Sequence, residues 1–186
     1  MDFYDLKGMV ETLCAHLGVK GASYAPTQHP TFHPGRVASI KIGEDEIGVF
    51  GEVHPVVRAQ FDIPDQAVML LELDLEKLLA AANRAWRFQP ISRMPALNLD
   101  LAVVVDQDTP ADAVETAIHE SGGALLVDVV LFDVYRGGQV GAGKKSLAYS
   151  LTFQSSDKTL TSEQAVKQRD RIMKQLAKSF GAEMRG

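Results

Sequence analysis

The run Ser146-Leu147-Ala148-Tyr149-Ser150-Leu151-Thr152-Phe153 alternates small or polar residues with bulky apolar ones at every position. Successive side chains of a strand point to opposite faces, so this period of two predicts a strand with one buried face and one lined by small groups. Such a strand calls for a covering layer on one side only. The flanking sequence supplies that layer. Residues 99–105 read as a first strand. Thr109-Pro110 is expected to cap a helix running to residue 121, with Pro110 at the first helical position, Asp112 in the first turn and Gly122-Gly123 at its end. Residues 126–135 read as a second strand, and residues 136–145 as its connection to the third. Thr161 and Gln164 form a capping-box pattern opening a helix to residue 179, and residues 182–185 read as a short last strand. The order β-α-β-β-α-β predicts an α+β sandwich with an antiparallel sheet of the ferredoxin-like type.

Alternation also sorts the side chains by face. Leu147, Tyr149, Leu151 and Phe153 are expected toward the helices, and Ser146, Ala148, Ser150 and Thr152 away from them. Leu101, Val103 and Val105 alternate with Asp100, Ala102 and Val104. Val130, Phe132 and Val134 alternate with Leu131, Asp133 and Tyr135. The face without helices is thus expected to be small and polar, with a single large aromatic. It suits a flat ligand such as a nucleobase; a merely solvated sheet face is the alternative.

Upstream of Pro90 the chain reads as a separate unit. Phe3, Leu6, Val10, Leu13, Cys14 and Leu17 recur at helical spacing, and Gly18 follows as a C-terminal signal. A loop rich in proline and histidine is expected over 26–34. Strands are expected over 37–42 and 46–50, flanking the turn Gly43-Glu44-Asp45, and a short helix at Pro55. A further strand is read over 68–75 and a helix over 75–82. These elements are too few to close a core by themselves under this reading, which makes the unit the tail of a larger domain.

Candidate chemistry is sparse. No apolar run approaches the ~20 residues of a membrane helix, and Met1–Asp5 is acidic where a secretory signal is basic. The one cysteine, Cys14, excludes an internal disulfide, fits a reducing cytosol, and sits on the apolar stripe of the first helix. Gly138-Gln139-Val140-Gly141-Ala142-Gly143-Lys144-Lys145 approximates a phosphate-binding loop. However, Lys145 replaces the hydroxyl that would hold Mg²⁺, and a strand follows where such a loop opens a helix. His29, His33 and His54 lack further convergent ligands, so no metal site is read. Glu52, Glu72 and Asp74 carry no acid–base argument by spacing. No catalytic constellation is recognised.

Charge is distributed unevenly. The formal net charge is -5, which by itself argues against a polyanion binder. Residues 91–133, however, hold one basic residue against eight acidic, and residues 134–186 hold ten basic against four acidic. Lys167, Arg171, Lys174 and Lys178 follow at helical spacing as one stripe. With Arg136, Lys144 and Lys145 they are expected to form a basic region able to attract phosphates.

Five segments occur in register: Phe32-His33-Pro34-Gly35-Arg36, Gly48-Val49-Phe50-Gly51-Glu52-Val53-His54-Pro55, Leu131-Phe132-Asp133-Val134-Tyr135-Arg136-Gly137, Lys144-Lys145-Ser146-Leu147-Ala148-Tyr149 and Lys158-Thr159-Leu160-Thr161. Together they make the chain resemble the C-terminal part of the bacterial phenylalanyl-tRNA synthetase beta subunit family. The resemblance implies that residues 1–84 are the tail of a class II synthetase-like antiparallel α+β module without catalytic activity. It makes 85–91 a linker and 92–186 a ferredoxin-fold anticodon-binding domain. It implies tRNA(Phe) and the synthetase alpha subunit as partners, in an alpha2beta2 heterotetramer in the cytoplasm, with neither membrane nor DNA involved. The alpha subunit would carry the active site; ATP and Mg would belong to the whole enzyme, and this fragment would hold no cofactor. Asp133, Tyr135 and Ser146 match the family's anticodon contacts, with the tyrosine stacking on a base, and Ala102 matches a further contact. Where the family commonly has Arg-Asp, this chain has Leu99-Asp100. A different ferredoxin-like RNA binder, or a protein-assembly domain, is the alternative.

Overall fold

The computed structural model describes residues 1–83, 85 and 92–185. The chain divides into two compact units, Met1–Phe88 and Gln89–Gly186. Apart from residue 85, the linker expected over 85–91 lies outside the described residues.

In the first unit, helix α1 (Phe3–His16) starts at a capping box in which the Asp2 carboxylate accepts from the Tyr4 and Asp5 amides, while Asp5 accepts from the Asp2 amide. Strands β1 (Ala22–Pro26), β2 (Phe32–Ile42) and β3 (Asp45–Val53), helix α2 (Pro55–Gln60), strand β4 (Met69–Leu73) and helix α3 (Leu75–Ala81) follow. The sheet runs β1-β2-β3-β4, antiparallel throughout. Leu6, Val10 and Cys14 of α1 pack with Ile40, Ile47, Phe50 and Leu78 in one buried cluster. This corrects the expectation that the unit lacks a core. The additional strand β1, unrecognised in the sequence, pairs with the whole second half of β2 and supplies the missing partner. Leu13, expected on the buried stripe, is exposed with Tyr4 and Met9 on the outer side of α1.

Strand β2 also starts inside the expected loop. Pro34 and Gly35 sit at an irregularity between the Phe32–Val53 and Val37–Gly51 pairs, where a proline needs no ladder partner. The histidines of this region serve local structure. His54 Nδ1 accepts from the Val56 amide at 3.1 Å as the N-cap of α2, and the His29 ring lies 5.2 Å from Phe32.

The second unit contains β5 (Leu97–Asp106), α4 (Ala111–Gly122), β6 (Leu126–Tyr135), β7 (Lys144–Phe153), α5 (Ser162–Phe180) and β8 (Glu183–Met184). Its antiparallel sheet has the order β6-β7-β5-β8. Leu147, Tyr149, Leu151 and Phe153 are fully buried with Leu101, Val103 and Val105 beneath Val114 and Ile118 of α4 and Ile172 and Leu176 of α5. The alternation of β7 is therefore realised residue by residue. The Tyr149 hydroxyl, carried into this apolar layer, donates to the Ala111 carbonyl at 3.1 Å, which satisfies it. Helix α5 opens with the capping box of Thr161 and Gln164. Helix α4 differs from expectation. Its N-cap is Pro110, no side chain caps it, and Thr109 instead closes a backbone turn onto Asp106.

Strict alternation fails on β6. The register moves from Leu131–Tyr149 to Asp133–Ala148, leaving Phe132 as an extra residue in a β-bulge. Leu131 consequently shares the core side with its partner Tyr149, whereas Asp133 and Tyr135 share the open side with Val130. The sequence-based grouping of Leu131 with Asp133 and Tyr135 is corrected on this point. Phe132, at 57% exposure, is a second accessible aromatic beside the one expected.

Candidate nucleic-acid interface

Both helices of the second unit lie on one face of its sheet, and the strand register fixes what the other face presents. Tyr135 of β6 pairs with Ser146 of β7, which pairs with Val104 of β5, which pairs with Glu183 of β8. In the adjacent row Asp133 pairs with Ala148 and Ala148 with Ala102, whose carbonyl accepts from the Arg185 amide at 2.9 Å. The four predicted base-contact residues, Ala102, Asp133, Tyr135 and Ser146, thus fall in two neighbouring rows of one face. Small side chains at Ala102, Ser146 and Ala148 keep its centre low.

Tyr135 stands at one edge of this floor. Its phenol lies against Gly137, where a Cβ would come within 2.4 Å of the hydroxyl oxygen. The guanidinium of Arg185 sits over the ring, 4.8 Å from its centroid, and Nη2 of that group donates to Gln139 Oε1 at 3.1 Å. Asp133 is exposed, leaving its carboxylate oxygens available as acceptors. Ser146 is only 3% exposed, between Tyr135 and Val104. Leu99, where the resemblance leads one to expect arginine, pairs with the buried Leu151 and packs on the core, so its side chain is unavailable on the open face.

Arg185 and Gln139 were not among the sequence candidates. The available signal was positional: Arg185 lies one step beyond a strand whose register follows from Ala102, and Gln139 lies in the glycine-rich connection from β6 to β7.

The seven candidate backbone cations do not share a surface. Ala165, Ile172 and Leu176 turn α5 onto the core, so Lys167, Arg171, Lys174 and Lys178, all exposed, project from its opposite side. They therefore point away from the sheet, and the single basic region expected from sequence is not formed. Lys145 is 7% exposed and faces the helix layer in register with Val105. Burial, and then the like charge of Arg136, lower its pKa, with Asp108 opposing. Lys144 is on the open face, 3.3 Å from Glu183, and Arg136 is exposed directly after Tyr135. Asp100, Asp106, Asp133 and Glu183 outnumber Lys144 and Arg185 on this face. Such a charge balance does not favour a phosphate on the floor itself; the groups it offers there are a ring for stacking and a carboxylate acceptor.

A two-layer sandwich with both helices on one face of an antiparallel four-stranded sheet defines a ferredoxin-like class of domain. The chain belongs to the ferredoxin-fold anticodon binding domain family, whose model matches residues 92–185. Residues 1–75 match the model of the phenylalanyl tRNA synthetase beta chain CLM domain. Relatives include phenylalanine–tRNA ligase beta subunits of Symbiobacterium thermophilum, 44% identical over 99% of this chain and 20% of the relative, and of Moorella thermoacetica, 45% identical over 100% and 23%. That of Syntrophotalea carbinolica is 43% identical over 100% and 23%. The chain thus spans about a fifth of the length of these curated relatives. Among the described residues no helix is long and apolar enough to cross a membrane.

Proposed function

We propose that this chain is the anticodon-recognising part of a phenylalanine–tRNA ligase, binding tRNA(Phe) through the open face of its second unit. The observation that carries this reading is the convergence of Ala102, Asp133, Tyr135 and Ser146 on one helix-free face. Tyr135 supplies a stacking surface worth roughly 1–3 kcal/mol per base. Asp133 accepts from the N–H groups of a base edge, Ala102 lets a flat ring approach the sheet, and Ser146, only 3% exposed, lines the floor beside Tyr135 rather than meeting the base directly. Arg136 and Lys144 hold phosphates at the rim. The stripe Lys167, Arg171, Lys174 and Lys178 serves a separate stretch of the nucleic acid.

The role is recognition, with no bond made or broken on this chain. Aminoacylation, with its ATP and Mg, belongs to the whole enzyme, and the active site to the alpha subunit of an alpha2beta2 assembly in the cytoplasm. The exposed apolar strip Tyr4, Met9 and Leu13 on α1 supports an assembly role for the first unit. An RNA-recognition module of another kind would carry aromatics on the open face of β7, but Tyr149 and Phe153 are buried in the core. A protein-assembly role for the second unit is favoured by exposed Val130 and Phe132 on β6. Titrating the chain separately with tRNA(Phe) and with the alpha subunit distinguishes the two. Binding of tRNA that is weakened by Tyr135→Ala supports the proposal, and binding insensitive to that change contradicts it.

A further inference from the structure

Tyr135 and Arg185 leave the two opposite edges of the sheet, β6 and the end of β8. Three strand spacings separate these edges, about 14 Å, beyond the reach of either side chain alone. They meet over the middle strands, where Ser146 and Val104 occupy the row of Tyr135 and Ala148 and Ala102 the next. The guanidinium lies 4.8 Å from the ring centroid, its Nη2 is held by Gln139 at 3.1 Å, and its backbone amide is bonded to Ala102 at 2.9 Å. Gly137 bounds the ring at its phenol end.

We propose that Arg185 is a positioning residue for the stacking platform: clamped by Gln139 and Ala102, its guanidinium fixes the Tyr135 ring by one face and leaves the other for a base. This rests on the reading of the open face as a nucleobase site. A tyrosine free to rotate must be ordered when a base stacks on it, and a ring held beforehand avoids that cost. Arginine suits the task because its planar group stacks on a ring while its N–H groups stay in the ring's periphery to reach Gln139; lysine offers a point charge without that plane.

The test uses the full 186-residue chain and an RNA hairpin with the anticodon stem–loop sequence of tRNA(Phe). Affinity is measured across salt for the original chain, Arg185→Ala, Arg185→Lys, Tyr135→Ala and the Arg185→Ala/Tyr135→Ala pair. Arg185→Ala is expected to weaken binding roughly two- to fivefold, the scale of one partly exposed cation–π contact. The salt slope stays unchanged, Arg185→Lys recovers only part of the loss, and the double variant binds no more weakly than Tyr135→Ala. Tighter or unaltered binding by Arg185→Ala overturns the proposal, as does a loss that adds to that of Tyr135→Ala with a shallower salt slope, the mark of a phosphate contact. If Tyr135→Ala itself leaves binding intact, the nucleobase reading fails, and the RNA-free protein then decides the role of Arg185. Arg185→Ala must shift and average the NMR signals of the Tyr135 ring without lowering the melting temperature, and unmoved signals overturn the proposal.

Discussion

The guanidinium of Arg185 lies 4.8 Å from the centre of the Tyr135 ring, although the two residues arise from opposite edges of a four-stranded sheet. Ser146 and Val104 continue the row of Tyr135 across the middle strands, with Ala148 and Ala102 in the next row. The face therefore holds an aromatic ring braced by a cation at its edge, and its energetics follow from that ring and from what surrounds it.

Tyr135→Ala is expected to cost roughly 1–3 kcal/mol of RNA affinity, the stacking contribution of one base. Tyr135→Phe keeps the ring and is expected to retain most of the binding. RNA titration of both variants checks this, with thermal unfolding as the control: Tyr135 is outside the buried cluster, so neither change lowers the melting temperature appreciably.

Gly137→Ala is expected to weaken RNA binding without removing any contacting group. A methyl there would meet the Tyr135 hydroxyl oxygen at 2.4 Å and its ring carbon at 2.7 Å. The backbone at Gly137 is extended, φ -172°, so alanine adds no backbone strain and only the ring must move. An unchanged unfolding midpoint with reduced affinity is the expected pair of results.

Lys144 and Lys145 are neighbours in sequence with opposite roles. Lys144→Met removes an open-face cation and is expected to weaken RNA binding and make the salt slope shallower by roughly 0.7 per lost phosphate contact. Lys145→Met is expected to leave affinity unchanged and raise the melting temperature. Burial, and then the like charge of Arg136, hold the pKa of Lys145 below its usual value of 10.5, so its charge costs the fold relative to the unfolded chain, a cost methionine does not carry. Stability from this group rises as pH climbs through the lowered pKa toward 10.5. Salt-dependent binding and thermal unfolding of both variants separate the two lysines.

The sequence made the second unit readable because β7 has uninterrupted alternation and its partners are long. The open face, with Tyr135, Asp133 and Ser146, follows from it. The β6 bulge was not legible: where a strand takes an extra residue depends on its pairing with β7, and nothing local to Phe132 marks it. The dispersal of the cations has a similar origin. The spacing of Lys167, Arg171, Lys174 and Lys178 defines a stripe, but only the burial of Ile172 and Leu176 says which way it points. In the first unit β1 was missed because Ala22-Ser23-Tyr24-Ala25-Pro26 has weak strand composition and is ordered by pairing with β2.

Tyr149 gives the core a pH dependence. Its pKa is raised, first by burial and then by the charges of Glu115 and Asp112, above the usual 10.0. The folded state keeps this proton at pH values where the unfolded chain releases it. Its contribution is therefore complete below pH 10 and is lost as pH climbs through the raised value. Tyr149→Phe is expected to remove that alkaline loss while costing about 1 kcal/mol at neutral pH for the missing bond to Ala111. Denaturant unfolding at neutral and alkaline pH measures both terms.

The central claim is that the open face reads a base of the anticodon. Its most direct measurement is the affinity of the full chain for tRNA(Phe) transcripts that differ only in the anticodon bases, each titrated with the original chain and with Tyr135→Ala. The account predicts that changing an anticodon base weakens binding by the original chain, and that the discrimination shrinks in the variant. Equal affinity for all transcripts, or discrimination that survives the loss of Tyr135 intact, would contradict it.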